Sequence, residues 1–225
     1  LKTQIIEIPF ENTITTAIHT MRSVGCVLLT IKTDGGISGE GYLFSLNAKN
    51  IKIYNERLSK VASLLIGQDP LLIPSILKKI NLAIDSIGRD SISIAALSTL
   101  DTALWDINGK ANNLPLHRLF GIHHTKVKTY ASGGLWLSQS IDSIINEAHE
   151  FLRQGFLAMK IRVGSGNNSV DIERVRELRK AIGQEIELMA DANQGLSIDD
   201  AIALGKALEE YDLIWLEEPV KAYDY

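Results

Sequence analysis

The sequence predicts an α+β domain followed by an α/β domain built on a parallel sheet, either doubly wound or a (β/α)8 barrel. Three observations predict it: a β-hairpin pattern near the N-terminus, a run of helical patterns after it, and strand and helix patterns alternating from about Lys126 onward. The 225 residues accommodate one large or two modest domains, and 45% hydrophobic residues are enough to fill their cores.

In "CVLLTIKTDGGISGEGYLFSL", two β-branched and aromatic runs flank Asp34-Gly35-Gly36, whose glycines admit the positive φ of a hairpin turn. From Ile51 to about Leu65, and from about Ile73 to Ile87, apolar residues recur at three- and four-residue steps, with Pro70 and Pro74 breaking the two helices apart. "SIAALSTLDTALWDINGKANN" reads as a third helix that ends around Gly109 to Asn113, ahead of Pro115. Then come a strand "VKTYAS", a helix from about Ile141, a strand "AMKIRV", a helix from about Val170, a strand "IELMAD", a helix from Ser197 and a strand "LIWLEE". Ser197 has the character of an N-cap, with Asp200 three positions on completing a capping-box variant.

Charge excludes several partner classes. With 27 acidic against 23 basic residues, net −4, there is no basic footprint for nucleic acid and no polybasic membrane patch, which favours a small-molecule partner. No apolar run reaches the length of a membrane span. The single cysteine, Cys26, cannot form an internal disulfide, and "LKTQIIEIPF" lacks the design of a signal peptide, so a cytoplasmic location is expected. The first residue is not methionine, which hints at a start inside a gene. "RVGSGNN" is glycine-rich but has neither the P-loop lysine nor the dinucleotide fingerprint spacing.

The informative residues stand at strand ends. Residues two apart in a strand share a face, so Lys160 and Arg162 point the same way, as do Met189 and Asp191, and Trp215 and Glu217. A single terminal Asp or Glu is most often a solvated loop residue or a helix cap. Four charges on three successive strand ends strain that explanation, because buried charges are rare unless paired. In a barrel these C-terminal strand ends are where active sites sit. Neighbouring carboxylates repel unless a cation lies between them, and oxygen-only ligands select a hard cation such as Mg²⁺. Lys160 and Arg162 can then bind or polarise an anionic substrate.

"AMKIRVG", "DANQ" and "WLEEP", with their spacing, resemble the mandelate racemase subgroup of the enolase superfamily, and "LDTALWDINGKANNLPLHRLFG" resembles that family's segment joining the capping domain to the barrel. The resemblance implies an α+β capping domain over residues 1–125, followed over 126–225 by a (β/α)8-type barrel of which about the first half is present. It implies that Asp191 and Glu217 match the first two metal-binding carboxylates, that Asn193 matches a polar residue beside the first, and that Lys160 matches the first lysine of a Lys-x-Lys pair. It further implies Mg²⁺ as cofactor and abstraction of the proton alpha to a carboxylate through an enediolate. The second lysine of the pair, a base, is replaced by Arg162, a poor general base and a better electrostatic clamp. That disfavours racemisation, which uses a base on each face, and points to a lyase that dehydrates a sugar acid with a histidine–aspartate pair on a later strand. Racemase, epimerase or cycloisomerase chemistry is the alternative. A non-catalytic relative surviving by dimerisation is the reading from a different class.

The segment from about Pro9 to Met21 resembles the family's mobile capping loop, so Thr15 and His19 are candidate substrate contacts, with packing or surface roles as the bland reading. Trp136 lines the pocket or merely packs. His123 and His124 read as a solvated connector, Trp105 as core, Glu218 as a structural hydrogen-bonding residue, and the charges of "DIERVRELRKAIG" as a solvated outer face. A half barrel ending at Tyr225 is expected to be a fragment inactive by itself and to pair through its open edges, making a homo-oligomer.

Overall fold

The computed structural model describes residues 1–86 and 88–224. The chain folds into two compact units, residues 1–10 with 22–125, and residues 11–21 with 126–225.

The first unit carries a three-stranded sheet ordered β1-β2-β3, with β1 at Lys2–Thr15, β2 at Thr20–Lys32 and β3 at Ser38–Leu46. β2 and β3 pair antiparallel from Val24↔Leu46 to Lys32↔Ser38, the expected hairpin. Alternate residues of β2 point into the core, where Val27 and Leu29 are fully enclosed. Three helices cover that face: α1 at Ile51–Ala62, α2 at Ile73–Asp85 and α3 at Ser91–Ala111. They contribute Leu58, Ile80, Ile84, Leu100, Leu104 and Ile107 to one core. The α1 pattern runs on as a single 3₁₀ turn over Ser63–Leu65. Ile87, the expected end of α2, lies outside the described residues, as does Tyr225. Asp90 caps α3, accepting from the Ser93 N–H at 2.6 Å. Gly39 and Gly41 let β3 lie directly on α3: a Cβ at either position would stand 2.1 Å from the Ala103 carbonyl or 2.3 Å from that of Thr99. A one-turn helix α4, Leu116–Leu119, follows Pro115.

The second unit holds a parallel sheet ordered β4-β5-β6, at Ala158–Arg162, Glu187–Asp191 and Leu213–Glu217. Helices α5 at Ile141–Arg153, α6 at Asn168–Ile182 and α7 at Ile198–Leu208 alternate with the strands, and α6 packs against both α5 and α7. Ser140, Asn167 and Ser197 cap them through side-chain oxygens. At Ser197 the expected capping-box variant forms: Ser197 Oγ accepts the Asp200 N–H while its hydroxyl donates to the Asp200 carboxylate at 2.6 Å.

Two expectations are corrected. "VKTYAS" is not a regular strand; Val127 is 79% exposed, and only the buried Ala131 meets β4, in an isolated parallel bridge to Met159. The helix read as solvated is so on one side only: Glu173, Arg176, Glu177 and Lys180 of α6 pair at the surface, whereas Asp171, Arg174 and Arg179 are buried beside Val175, Leu178 and Ile182. The hydrogen-bond partners of these three buried charges are backbone groups, although Arg174 Nε is left without one. Arg179 donates to the carbonyls of Tyr211, Gly183, Ile186 and Asp212, so this one guanidinium ties together the loops leading into β5 and β6. Residues 9–21, the expected capping-loop segment, form the end of β1, a turn and the start of β2. Among the described residues no helix is long and apolar enough to cross a membrane.

Candidate active site

Register builds the site. Arg162, Asp191 and Glu217 are direct partners across β4, β5 and β6, so three charged side chains stand in a row at the C-terminal ends of adjacent parallel strands. Lys160, two residues earlier on β4, shares the face of Arg162. Its Nζ lies 2.7 Å from Glu217 Oε2 and 3.1 Å from Asp191 Oδ2, so the ammonium sits between the two carboxylates. Arg162 Nε is 3.8 Å from the same Asp191 oxygen. Lys160, Arg162 and Asp191 are 5%, 6% and 3% exposed, which makes their mutual compensation obligatory.

The electrostatics follow. Burial works against the Lys160 charge, yet hydrogen bonds to Glu217 and Asp191 outweigh it and hold the ammonium above its ordinary range. The bond from Lys160 in turn holds the Glu217 carboxyl below its ordinary range. Burial pushes the Arg162 guanidinium down, with Asp191 opposing. A guanidinium starts so high that this leaves Arg162 a cation.

Arg162 is held in place without being saturated. Nη2 donates to the Ser132 carbonyl at 3.1 Å, and the guanidinium lies 4.7 Å from the Trp136 ring centroid. Nε and Nη1 are buried without a hydrogen-bond partner. Asn193, just past β5 with φ 43°, donates its N–H to Asp191 Oδ1 at 2.8 Å, and its own Oδ1 is buried and unpartnered. Non-glycine residues with positive φ recur in each of these loops, at Leu135, Asn193, Gln194 and Glu218. Backbone bonds knit the loops together: Ala192 N–H to the Glu217 carbonyl, Gln194 N–H to that of Glu218 and Leu196 N–H to that of Pro219. The Glu218 carboxylate accepts from Gln194 Nε2 at 3.2 Å.

Lys160, Arg162, Asp191, Glu217, Asn193 and Trp136 therefore gather around one point. Thr15 and His19 do not join the charged cluster by any hydrogen bond or ion pair among the described residues. Thr15 accepts the Leu137 N–H through its carbonyl, and His19, exposed, closes the hairpin turn through its backbone. Sequence reasoning missed several supports. Tyr130 lies under Lys160, with Nζ 5.9 Å from its centroid, and packs edge-on against Trp215. Arg174 donates to the Gln139 and Trp136 carbonyls at 2.7 and 2.9 Å and so holds the Trp136 loop. Asp171 accepts from the Gly164 and Ser165 amides at 3.0 Å each, pinning the loop after β4. The signal was present: the charged positions 171, 174 and 179 share one helical face with the apolar 175, 178 and 182.

Asp191, Glu217 and the orphaned Asn193 Oδ1 offer oxygen donors only, so the donor chemistry fits a hard cation such as Mg²⁺. Among the described residues no group of three His, Cys, Asp or Glu converges, so Asp191 and Glu217 are the carboxylates on offer. A cavity of about 710 Å³ in the first unit, lined by Ile31, Leu65, Ile76 and Leu104, has no comparable convergence of charge.

Comparison with known proteins agrees with this architecture. Residues 2–121 match the mandelate racemase/muconate lactonizing enzyme N-terminal domain, and residues 143–225 match an enolase C-terminal domain-like family. The chain is 35% identical over 204 residues to L-talarate/galactarate dehydratase of Salmonella typhimurium, covering 91% of this chain and 51% of the relative. It is 31% identical over 220 residues to 3,6-anhydro-alpha-L-galactonate cycloisomerase of Streptomyces coelicolor, covering 97% and 61%. Epimerases are also among its curated relatives. The structure of L-talarate dehydratase from Polaromonas sp. JS666, complexed with Mg and L-glucarate, superposes with a TM-score of 0.90 at 31% identity, covering 99% of this chain and 61% of that one. The chain thus spans about half the length of the curated relatives it matches. The fold is that of the enolase superfamily, an N-terminal capping domain and part of a barrel domain.

Proposed function

The chain belongs to the mandelate racemase/muconate lactonizing enzyme family of the enolase superfamily, and on that premise we propose that the whole protein is an Mg²⁺-dependent dehydratase of a sugar acid. Residues 1–125 then serve as the capping domain and 126–225 as the first half of the barrel. Asp191 and Glu217 would hold the cation beside the Asn193 side-chain oxygen. Mg²⁺, when bound there, supplies Lewis-acid stabilisation of negative charge on the substrate carboxylate. Lys160, kept protonated by its two carboxylate partners, donates to that carboxylate as charge develops on it. Arg162 turns its two unfilled donors to substrate oxygen and abstracts no proton. The base, and a third carboxylate, are proposed to come from barrel strands that the relatives possess beyond the span matched here.

The observation that carries this reading is the row Arg162, Asp191 and Glu217 in register with Lys160 Nζ between the carboxylates. Arg162 supports one-sided proton chemistry, which suffices for elimination of water but not for racemisation. The likeness to the Streptomyces coelicolor cycloisomerase supports a second reading, cycloisomerisation of a sugar-acid derivative. The deciding experiment incubates the full-length protein with Mg²⁺ and a panel of aldonic and aldaric acids and lactones in D₂O. A 2-keto-3-deoxy acid supports the dehydratase. Deuterium in recovered substrate without keto acid would replace it with an epimerase or racemase, and ring closure or opening without loss of water with a cycloisomerase.

A further inference from the structure

We propose that Ala17 latches the hairpin tip over the strand ends, its methyl group seated in a notch formed by Gly164 and Gly195. All of these residues belong to the second unit. Gly164 lies two residues beyond Arg162 and Gly195 four beyond Asp191, so the notch is built from the two loops that carry the site's central charges. A Cβ placed on Gly195 would stand 2.2 Å from the Ala17 Cβ, and one on Gly164 would stand 3.1 Å from it. Real Cβ atoms do not approach so closely as the first distance, so only a residue without a side chain leaves room for Ala17 there.

The rest of the tip is anchored around this methyl. Thr16 is buried; its N–H donates to the His19 carbonyl at 2.9 Å, and its Oγ1 accepts the His19 N–H at 3.2 Å, which closes the turn. The Thr15 carbonyl accepts the Leu137 N–H at 3.2 Å, and that of Thr13 accepts from Ser138 Oγ at 3.3 Å. Leu137 follows Trp136, the ring over Arg162. The Ala17 methyl thus sets the tip against two loops, and the Thr13 and Thr15 carbonyls tie it to a third. With the function proposed above, on which this part rests, the latch fixes where the candidate substrate contacts Thr15 and His19 stand. Ala17 and Gly195 are then positioning residues that determine which substrates fit, and they take no part in proton transfer.

The test is substitution in the chain followed by residue-resolved hydrogen exchange. Gly195 has no positive φ, so Gly195→Ala adds chiefly a clash with the tip, beside a closer 3.2 Å approach to the Ala192 carbonyl that the double variant retains and so controls for, whereas Gly164 has φ +86° and is unsuitable. In Gly195→Ala the Leu137 amide is expected to exchange about ten-fold faster, while the Lys160 and Val163 amides, bonded to Ala131 and Asp191, keep their protection. Ala17→Phe, which leaves both barrel loops untouched, must reproduce that selective loss. Ala17→Gly added to Gly195→Ala returns the missing space and must restore protection. Unchanged exchange at Leu137 in either single variant, or failure of the double variant to restore it, overturns the latch and leaves the proposed function standing. In full-length enzyme, Gly195→Ala should raise KM about ten-fold with kcat nearly unchanged. Selective loss of protection with no change in KM would refute the role in substrate fit while the latch itself holds.

Discussion

Replacing Lys160 by Met removes the one group that touches both carboxylates while nearly conserving side-chain volume. In the native chain its Nζ neutralises Asp191 at 3.1 Å and Glu217 at 2.7 Å. The two acids differ in what they lose. The Glu217 side chain is 37% exposed, so water screens it and its share is small, whereas that of Asp191 is 4% exposed and would keep only Arg162 Nε at 3.8 Å and the Asn193 N–H at 2.8 Å. Stranding a buried charge costs about 3–5 kcal/mol, and the residual pairing with Arg162 places Lys160→Met near the low end, about 3 kcal/mol. The assay is urea unfolding followed by fluorescence in a Trp105→Phe background, which leaves Trp136 and Trp215 as reporters of the second unit. Mg²⁺ should replace the missing positive charge. At a concentration ten times its Kd it returns about 1.4 kcal/mol, so stability of the variant should become more Mg²⁺-dependent than that of the parent. A loss below about 1 kcal/mol, or no response to Mg²⁺, would refute the view that Lys160 is the counter-ion between the two acids.

Arg174→Met should cost about 2–4 kcal/mol, because two part-buried carbonyls lose charge-assisted donors; exchange at the Arg162 amide, which bonds to the Leu135 carbonyl, should quicken with it. Burial raises the Asp171 carboxyl above its unfolded value near 3.8, its amide partners at Ser165 and Gly164 only partly opposing. Its contribution to stability is therefore fully present below that unfolded value and is lost as pH rises through the raised folded one. The stability of the parent relative to Asp171→Asn should consequently fall as pH rises above the unfolded value near 3.8, measured by urea unfolding across that rise; an increase would contradict the assignment.

The periodic elements were legible because their burial is one-sided: the alternation in β2 and the three- and four-residue steps of α1 to α3 map directly onto a core. β1 was not. "KTQIIEIPFENTIT" is mostly exposed and contains Pro9, which argues against a strand until one knows that β1 is the edge of its sheet, where the missing N–H costs nothing. "VKTYAS" failed for the opposite reason, since strand-forming residues without a partner over most of their length yield a single bridge. At the site, period-two reasoning put Lys160 with Arg162 and aligned Asp191 and Glu217 with their strand faces. Register between strands is a tertiary property, and only it reveals that the cation between the carboxylates is Lys160 itself. The buried charges of α6 escaped because charge was read as solvation, although their spacing with Val175, Leu178 and Ile182 marked the inward face.

The measurement that bears most directly on the site is a Mn²⁺ titration of the 225-residue chain followed by paramagnetic broadening of its amide signals, alongside Asp191→Asn and Glu217→Gln. If Asp191 and Glu217 hold a divalent cation, broadening concentrates at the ends of β4, β5 and β6, and either substitution abolishes it. Broadening that is diffuse, or that persists at those ends in both variants, would contradict the assignment of this carboxylate pair as a metal site.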